Sequence, residues 1–310
     1  MAVKIDIVSG FLGAGKTTLI KKLLKEKLGS EKVVIIENEF GEIGIDGGIL
    51  RDSGIEIKEI NSGCICCSLV GDFSTALKEV LRKYTPDRVI IEPSGVGKLS
   101  GVLEACGKIQ KYADAAVNMC IAVVDSMKYI IYVNNFGEFF QDQINNAKTV
   151  ILSRTQMMEQ NKLSKVVNDI QKRNPKANIV TTDWWALKGA DIISLAERGG
   201  DLNIENPPEK RLHSHTEVDK MFQNWGIETP KLYTNESIRS ILKSLSNKSL
   251  YGNILRSKGI IPLEKSNWVQ FDFVPGEINI KPCLPDYTGR ICVIGEKLNT
   301  VELKKLFTGV

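Results

Sequence analysis

Three thiols stand within four positions of the stretch GCICC, as Cys64, Cys66 and Cys67. Thiolates at i, i+2 and i+3 of a turn can converge on one soft or borderline ion, with Zn–S bonds of ~2.3 Å. Structural zinc sites are closed by four protein ligands, whereas three leave a tetrahedral ion one open position, which suits exchange. Glu37 is the candidate fourth ligand. Two other readings stay open: three small residues packing as hydrophobes, or Cys66 and Cys67 forming a redox pair. His213 and His215 are the only histidines and are read as surface residues, although alternate positions on a strand would turn both to one face.

A second chemistry is written into GFLGAGKTT. Gly10, Gly15, Lys16 and Thr17 satisfy G-x-x-x-x-G-K-[ST] between a strand pattern and a helix pattern. Gly10, Gly13 and Gly15 let backbone N–H groups close on phosphates, and the helix N-terminus adds its positive dipole end. Lys16 is expected to reach the β and γ phosphates. The hydroxyl of Thr17 would face Mg2+, and Thr18 completes the candidate contacts. In IIEPSGVG, Glu92 takes the place of a second acidic anchor for the metal, and Ser94 with Gly95 turns the backbone toward the γ phosphate. The stretch IENEFGEIGIDGG over 36–48 sets Glu37, Glu39, Glu42 and Asp46 among four glycines, the composition of a loop that orders around phosphate and metal. A plain solvated acidic loop is the alternative.

These groups need a sheet to present them. Short β-branched runs at 3–8, 33–36, 55–60, 88–92, 120–124, 149–152 and 178–181 alternate with amphipathic stretches, such as Leu19, Leu23 and Leu24, or Leu77, Val80 and Leu81. That alternation predicts an α/β domain, a mostly parallel sheet flanked by helices, over 1–199. Turn formers and Pro207–Pro208 mark a linker over 200–210. A smaller α+β domain is expected over 211–310, with Ile238, Ile241, Leu242 and Leu245 on one helix face and alternation in VQFDF.

The 310 residues carry a formal charge of +4 and 43% hydrophobic side chains. So small a charge gives no argument for nucleic acid or membrane partners. Lys4 and Asp6 interrupt any signal-peptide core, and no apolar run reaches transmembrane length, so the expected location is the cytosol. Seven cysteines without a secretion pattern point to reduced thiols, with Cys106, Cys120, Cys283 and Cys292 read as small buried hydrophobes. Oligomeric state is left open.

Taken in order, GFLGAGKTT, IENEFGEIGID, NSGCICC and IIEPSG resemble the motif series of the CobW family, within the P-loop GTPase class that also holds HypB and UreG. NILRSKGII (253–261), WVQFDFVPGE (268–277) and GRICVIG (289–295) resemble that family's C-terminal domain, so the resemblance spans nearly the whole chain. It implies hydrolysis of GTP coupled to delivery of a transition metal, zinc or cobalt, to a client metalloprotein. The competing implication is a nucleotide-gated activator of a corrinoid or metal enzyme that carries no metal itself.

The chain departs from the family where guanine is read. An N/T-K-x-D motif is expected after the strand at 149–152, and Ser153, Arg154, Thr155 and Gln156 stand there instead. An aspartate accepts from guanine N1–H and the exocyclic amine. Gln156 offers one acceptor and one donor, a pattern closer to adenine. ATP is therefore the alternative to GTP. Arg154 can still stack on a base, and Asp183, after the next strand, is a second source of a carboxylate.

Overall fold

The computed structural model describes residues 2–37, 56–59, 70–110, 113–198, 222–264 and 267–309, with only the backbone for 56–59 and 70–72. The described residues form two units, one up to Arg198 and one from Phe222. The expected linker, 200–210, lies outside them, as do Asp46, Cys64, Cys66, Cys67, His213 and His215.

In the first unit, β1 (Val3–Gly10) leads through the phosphate loop into α1 (Lys16–Glu26). Next come β2 (Val33–Glu37), β3 (Glu56–Glu59), α2 (Val70–Tyr84), β4 (Arg88–Glu92) and α3 (Leu99–Gln110). The unit continues with β5 (Ala115–Asp125), α4 (Tyr129–Asn135), α5 (Gly137–Asn145) and β6 (Thr149–Ser153). It ends with α6 (Gln160–Arg173), β7 (Asn178–Val180) and α7 (Gly189–Glu197). The seven strands run in the order β3-β2-β4-β1-β5-β6-β7, and every pairing is parallel. Covered on both faces, β2 and β4 read as near-continuous apolar runs, VVII and VII, as parallel strands should.

One face packs Val8, Ile35, Ile90 and Ile121 against Leu19 and Leu23 of α1. Each such side chain, fully buried, contributes about 1.5–3 kcal/mol. On α2, Leu77 and Val80 are buried while Leu81 is half-buried. Cys106 and Cys120 are buried, as the sequence suggests, and Cys283 of the second unit is only half-buried.

β5 starts at Ala115, well before the expected CIAVV run. Asn118 breaks the apolar pattern there. Its amide donates to Asp6 Oδ1 at 2.9 Å and to Glu197 Oε1 at 3.0 Å, so the polar residue is accommodated within the strand. Asp6 also pairs with the buried Arg88, whose Nε donates to Glu31 at 2.7 Å.

The second unit holds β8 (Gln223–Thr229), α8 (Asn235–Ser244), α9 (Lys248–Tyr251), β9 (Asn253–Pro262), β10 (Trp268–Val274), β11 (Glu277–Pro282), β12 (Gly289–Glu296) and α10 (Thr300–Thr308). Its antiparallel sheet is ordered β11-β10-β9-β12-β8. Ile238, Leu242 and Leu245 bury the face predicted for α8, which starts with a capping box between Thr234 and Ser237. They meet Phe271, Val293 and Phe307 in one α+β core.

Candidate functional site

The parallel strands deliver their carboxyl ends, and the chemistry-bearing residues, to one edge of the sheet. Gly10 ends β1 at φ 147°, and a Cβ there would lie 2.3 Å from the carbonyl oxygen of Val123. Gly13 (φ 73°) and Gly15 (φ 107°) continue the loop in conformations that L side chains rarely adopt. Gly15 is the N-cap of α1 and brings no side-chain cap, which leaves the first N–H groups of the helix to a ligand.

Lys16 and Thr17 open α1 toward the end of β4. Thr17 Oγ1 lies 3.0 and 3.1 Å from the two carboxylate oxygens of Glu92, and Lys16 Nζ lies 3.9 Å from Glu92 Oε1. Lys16 is 5% exposed and Glu92 12%, so the ammonium and the carboxylate meet largely out of water. A hydroxyl and a carboxylate side by side are hard oxygen donors. They fit Mg2+, which takes one or two protein ligands and fills its shell with water and phosphate oxygen.

Beside them, Glu37 ends β2 in register with Glu92 on β4 and with Glu59 on β3. Glu37 is buried, at 4% exposure. Cys64 follows Glu59 by five residues in the chain, beyond the described part of the unit.

Gly95, in the turn after Glu92, lies against the phosphate loop: a Cβ at this position would fall 2.6 Å from Leu12 Cδ2 and 2.9 Å from Leu12 N. The fit leaves room for no side chain.

On the other side of the loop a cleft of ≈ 260 Å³ is lined by Gly15, Thr18, Ser153, Arg154 and Gln156, together with Asp183, Trp184 and Trp185. Ser153 is engaged inward. Its Oγ donates to Val124 O at 3.4 Å, and its carbonyl accepts from Ser126 Oγ at 2.7 Å. Arg154 takes a left-handed backbone (φ 60°) and pairs with Asp125 at the end of β5. Asp183 caps the turn Trp184–Ala186, its Oδ1 accepting from Trp185 N at 3.1 Å.

Trp184 and Trp185 are absent from the sequence reading, as is Asp125. Two consecutive indoles directly after a strand were the available signal. Trp184 is buried behind Gly15, whereas Trp185 is 61% exposed with Lys22 Nζ 5.5 Å from its ring centre. Among the described residues, no three His, Cys, Asp or Glu side chains gather as a metal site.

The domain model described as CobW/HypB/UreG, nucleotide-binding domain, matches residues 4–181, and the cobalamin synthesis protein cobW C-terminal domain matches residues 222–310. The chain is similar to the zinc chaperone YeiR of Escherichia coli, 31% identical over 229 residues, 70% of this chain and 65% of that protein. It therefore spans slightly under two thirds of the length of YeiR. It is 29% identical over 261 residues to the zinc chaperone CobW of a Sinorhizobium species, covering 72% of this chain and 73% of the relative. To the zinc-regulated GTPase metalloprotein activator 1 of Schizosaccharomyces pombe it is 28% identical over 320 residues, 90% and 77% of the two chains. With the nucleotide-binding model alone matching more than half of its length, the chain belongs to the CobW/HypB/UreG family.

Proposed function

We propose that the protein is a GTP-hydrolysing metallochaperone that binds Zn2+ and hands it to a client metalloprotein. The observation that carries the reading is the meeting of Lys16, Thr17 and Glu92 at the mouth of the Gly10–Thr17 loop. Relatives named as zinc chaperones and as a zinc-regulated GTPase metalloprotein activator support the metal and the nucleotide.

In this reading the N–H groups of the loop and of the start of α1 hold the β and γ phosphates, and Lys16 neutralises their charge. Mg2+ held by Thr17 and Glu92 would supply further charge stabilisation on the phosphates. The cleft beside Gly15 takes the base, with Arg154 against its face and Gln156 at its rim. Asp183 supplies there the carboxylate that Gln156 lacks, which favours GTP over ATP.

The cargo is Zn2+, with Co2+ as the alternative. It is assigned to Cys64, Cys66 and Cys67, with Glu37 as fourth ligand and Asp46 on the loop between. Because Glu37 is the register partner of Glu92, a change at the phosphate end is felt one strand away. A bias of 1.4 kcal/mol between two nucleotide states changes zinc affinity about tenfold. We assign residues 1–199 to the GTPase part, 200–210 to a linker and 211–310 to the C-terminal part, and place the protein's action in the cytosol. Among the described residues no helix is long and apolar enough to cross a membrane.

Zinc release to a colourimetric chelator, followed during a single turnover of GTP, tests the proposal. Release should track hydrolysis and stay slow with a non-hydrolysable analogue. Equal release with both nucleotides would sink the coupling. Client activation that survives replacement of Cys64, Cys66 and Cys67 by serine would favour an activator that carries no metal.

A further inference from the structure

The turn that follows Glu92 is gripped from one side by a single helix. Gln143 of α5 is 1% exposed, and its Nε2 donates to Gly95 O at 3.1 Å and to Gly97 O at 2.9 Å. Two carbonyl acceptors fix the orientation of the amide, because a flipped side chain would set oxygen against two oxygens. Oε1 is then buried without a donor among the described residues. One position earlier, Asp142 Oδ1 accepts from Ser100 N at 3.0 Å at the start of α3. One helical turn back, Glu138 pairs with Lys98. Three side chains of α5 thus hold the segment from Gly95 to Ser100.

The same helix, together with α4 before it, also touches the phosphate loop. The Phe11 ring lies 4.7 Å from that of Tyr132 on α4, 5.1 Å from Phe136 and 5.8 Å from Phe140 on α5. Gly95, seated on Leu12, closes the circuit between the gripped turn and the loop.

We propose that Gln143 is a positioning residue for hydrolysis, the clamp that presets the Ser94–Gly97 turn beside the terminal phosphate. The proposal rests on the GTP-hydrolase reading above and adds a residue to it. Gln143 is placed on the turn and not on the phosphate loop, so it contributes to the transition state and little to ground-state nucleotide affinity. A backbone group displaced by about 1 Å is enough to cost on the order of a hundredfold in rate.

The test compares the full-length protein with Gln143→Met, which keeps length and removes both hydrogen bonds, and with Gln143→Glu, which sets a carboxylate against the same carbonyls. The GDP dissociation constant by calorimetry and KM for GTP should stay within about threefold, while kcat falls about tenfold to a hundredfold. Hydrogen exchange at the Val96 and Gly97 amides of the nucleotide-free protein should speed up in both variants. Unchanged kcat would overturn the proposal, as would kcat and affinity falling together in step with thermal stability. A wild type without measurable GTP hydrolysis would overturn the hydrolase reading itself. The exchange comparison still decides the clamp in that case, and equal exchange in wild type and Gln143→Met overturns it.

Discussion

Thr17 Oγ1 shares its hydrogen between the two oxygens of Glu92, at 3.0 and 3.1 Å, with Lys16 Nζ 3.9 Å from the same carboxylate. Helix α1 and strand β4 therefore bring a hydroxyl, an ammonium and a carboxylate together at one point of the sheet edge.

Replacing Glu92 by glutamine keeps the size and removes the charge. The expected result is a fall in kcat for GTP of about a hundredfold or more, and loss of most of the gain in GTP affinity that Mg2+ brings. Titrations with Mg2+ and with chelator, beside turnover assays, measure both. Full activity in the glutamine variant would remove Glu92 from the metal site.

Gly15 sits at φ 107° with a Cβ position 2.9 Å from Trp184 Cη2. Gly15→Ala should cost about 1–3 kcal/mol of backbone strain and push the indole outward. Nucleotide affinity should fall at least about tenfold, the equivalent of 1.4 kcal/mol. Calorimetry with GDP checks the affinity, and urea unfolding checks the strain.

Asp183 is the carboxylate among the residues that line the cleft beside Gly15, where we place the base. Asp183→Asn exchanges an acceptor for a donor opposite guanine, with an expected loss of GTP affinity of about 1–3 kcal/mol and little change for ATP. Parallel calorimetric titrations with the two nucleotides decide it. An unchanged ratio would return the question to Gln156 and Arg154.

The thiols divide by environment. Burial pushes the Cys120 thiol up to about 12, and Cys106, fully buried beside it, higher still. The reactive form is the thiolate, so at pH 8 a thiol of that pKa is ionised to only ~1 part in 10⁴, rising tenfold per pH unit. Alkylation of the native protein at pH 8, read by peptide mass, should leave Cys106 and Cys120 unmodified. Zn2+ should protect Cys64, Cys66 and Cys67 alone, and modification of those three in the presence of saturating zinc would remove them from the metal site.

Asp6 in the middle of β1 and Arg88 at the start of β4 form a buried pair. Burial holds the Asp6 carboxyl above its usual range, with Arg88 pulling it back down. A carboxyl whose folded pKa is raised adds stability at low pH that is lost as pH climbs through the folded value. Arg88→Met takes away the counter-charge, raising that folded value further, at a cost of about 3–5 kcal/mol near pH 7. The cost should shrink on acidification, which urea midpoints at several pH values would show.

Much of this architecture can be read from local pattern. The VVII and VII runs predict β2 and β4 because strands covered on both faces must be apolar throughout. The glycines at 10, 13 and 15 announce a loop that only they can trace. Tertiary partners hid the rest. Asn118 reads as a strand breaker until Asp6 and Glu197 are seen to accept from it. β8, QNWGIET, has no clean alternation and gains its place by pairing with β12. Gln143 lies on an ordinary amphipathic helix, and nothing local distinguishes a glutamine that clamps a turn forty-odd residues away from one facing water.

The rung that joins Glu37 to Glu92 makes the two metal assignments electrostatic neighbours. Adjacent parallel strands lie about 4.8 Å apart, and register partners leave the sheet on the same face. Each carboxylate adds its negative charge to the field at its neighbour's site, and a cation taken by either cancels that contribution. Cargo and magnesium would therefore weaken each other's binding through charge alone, with no moving part between them.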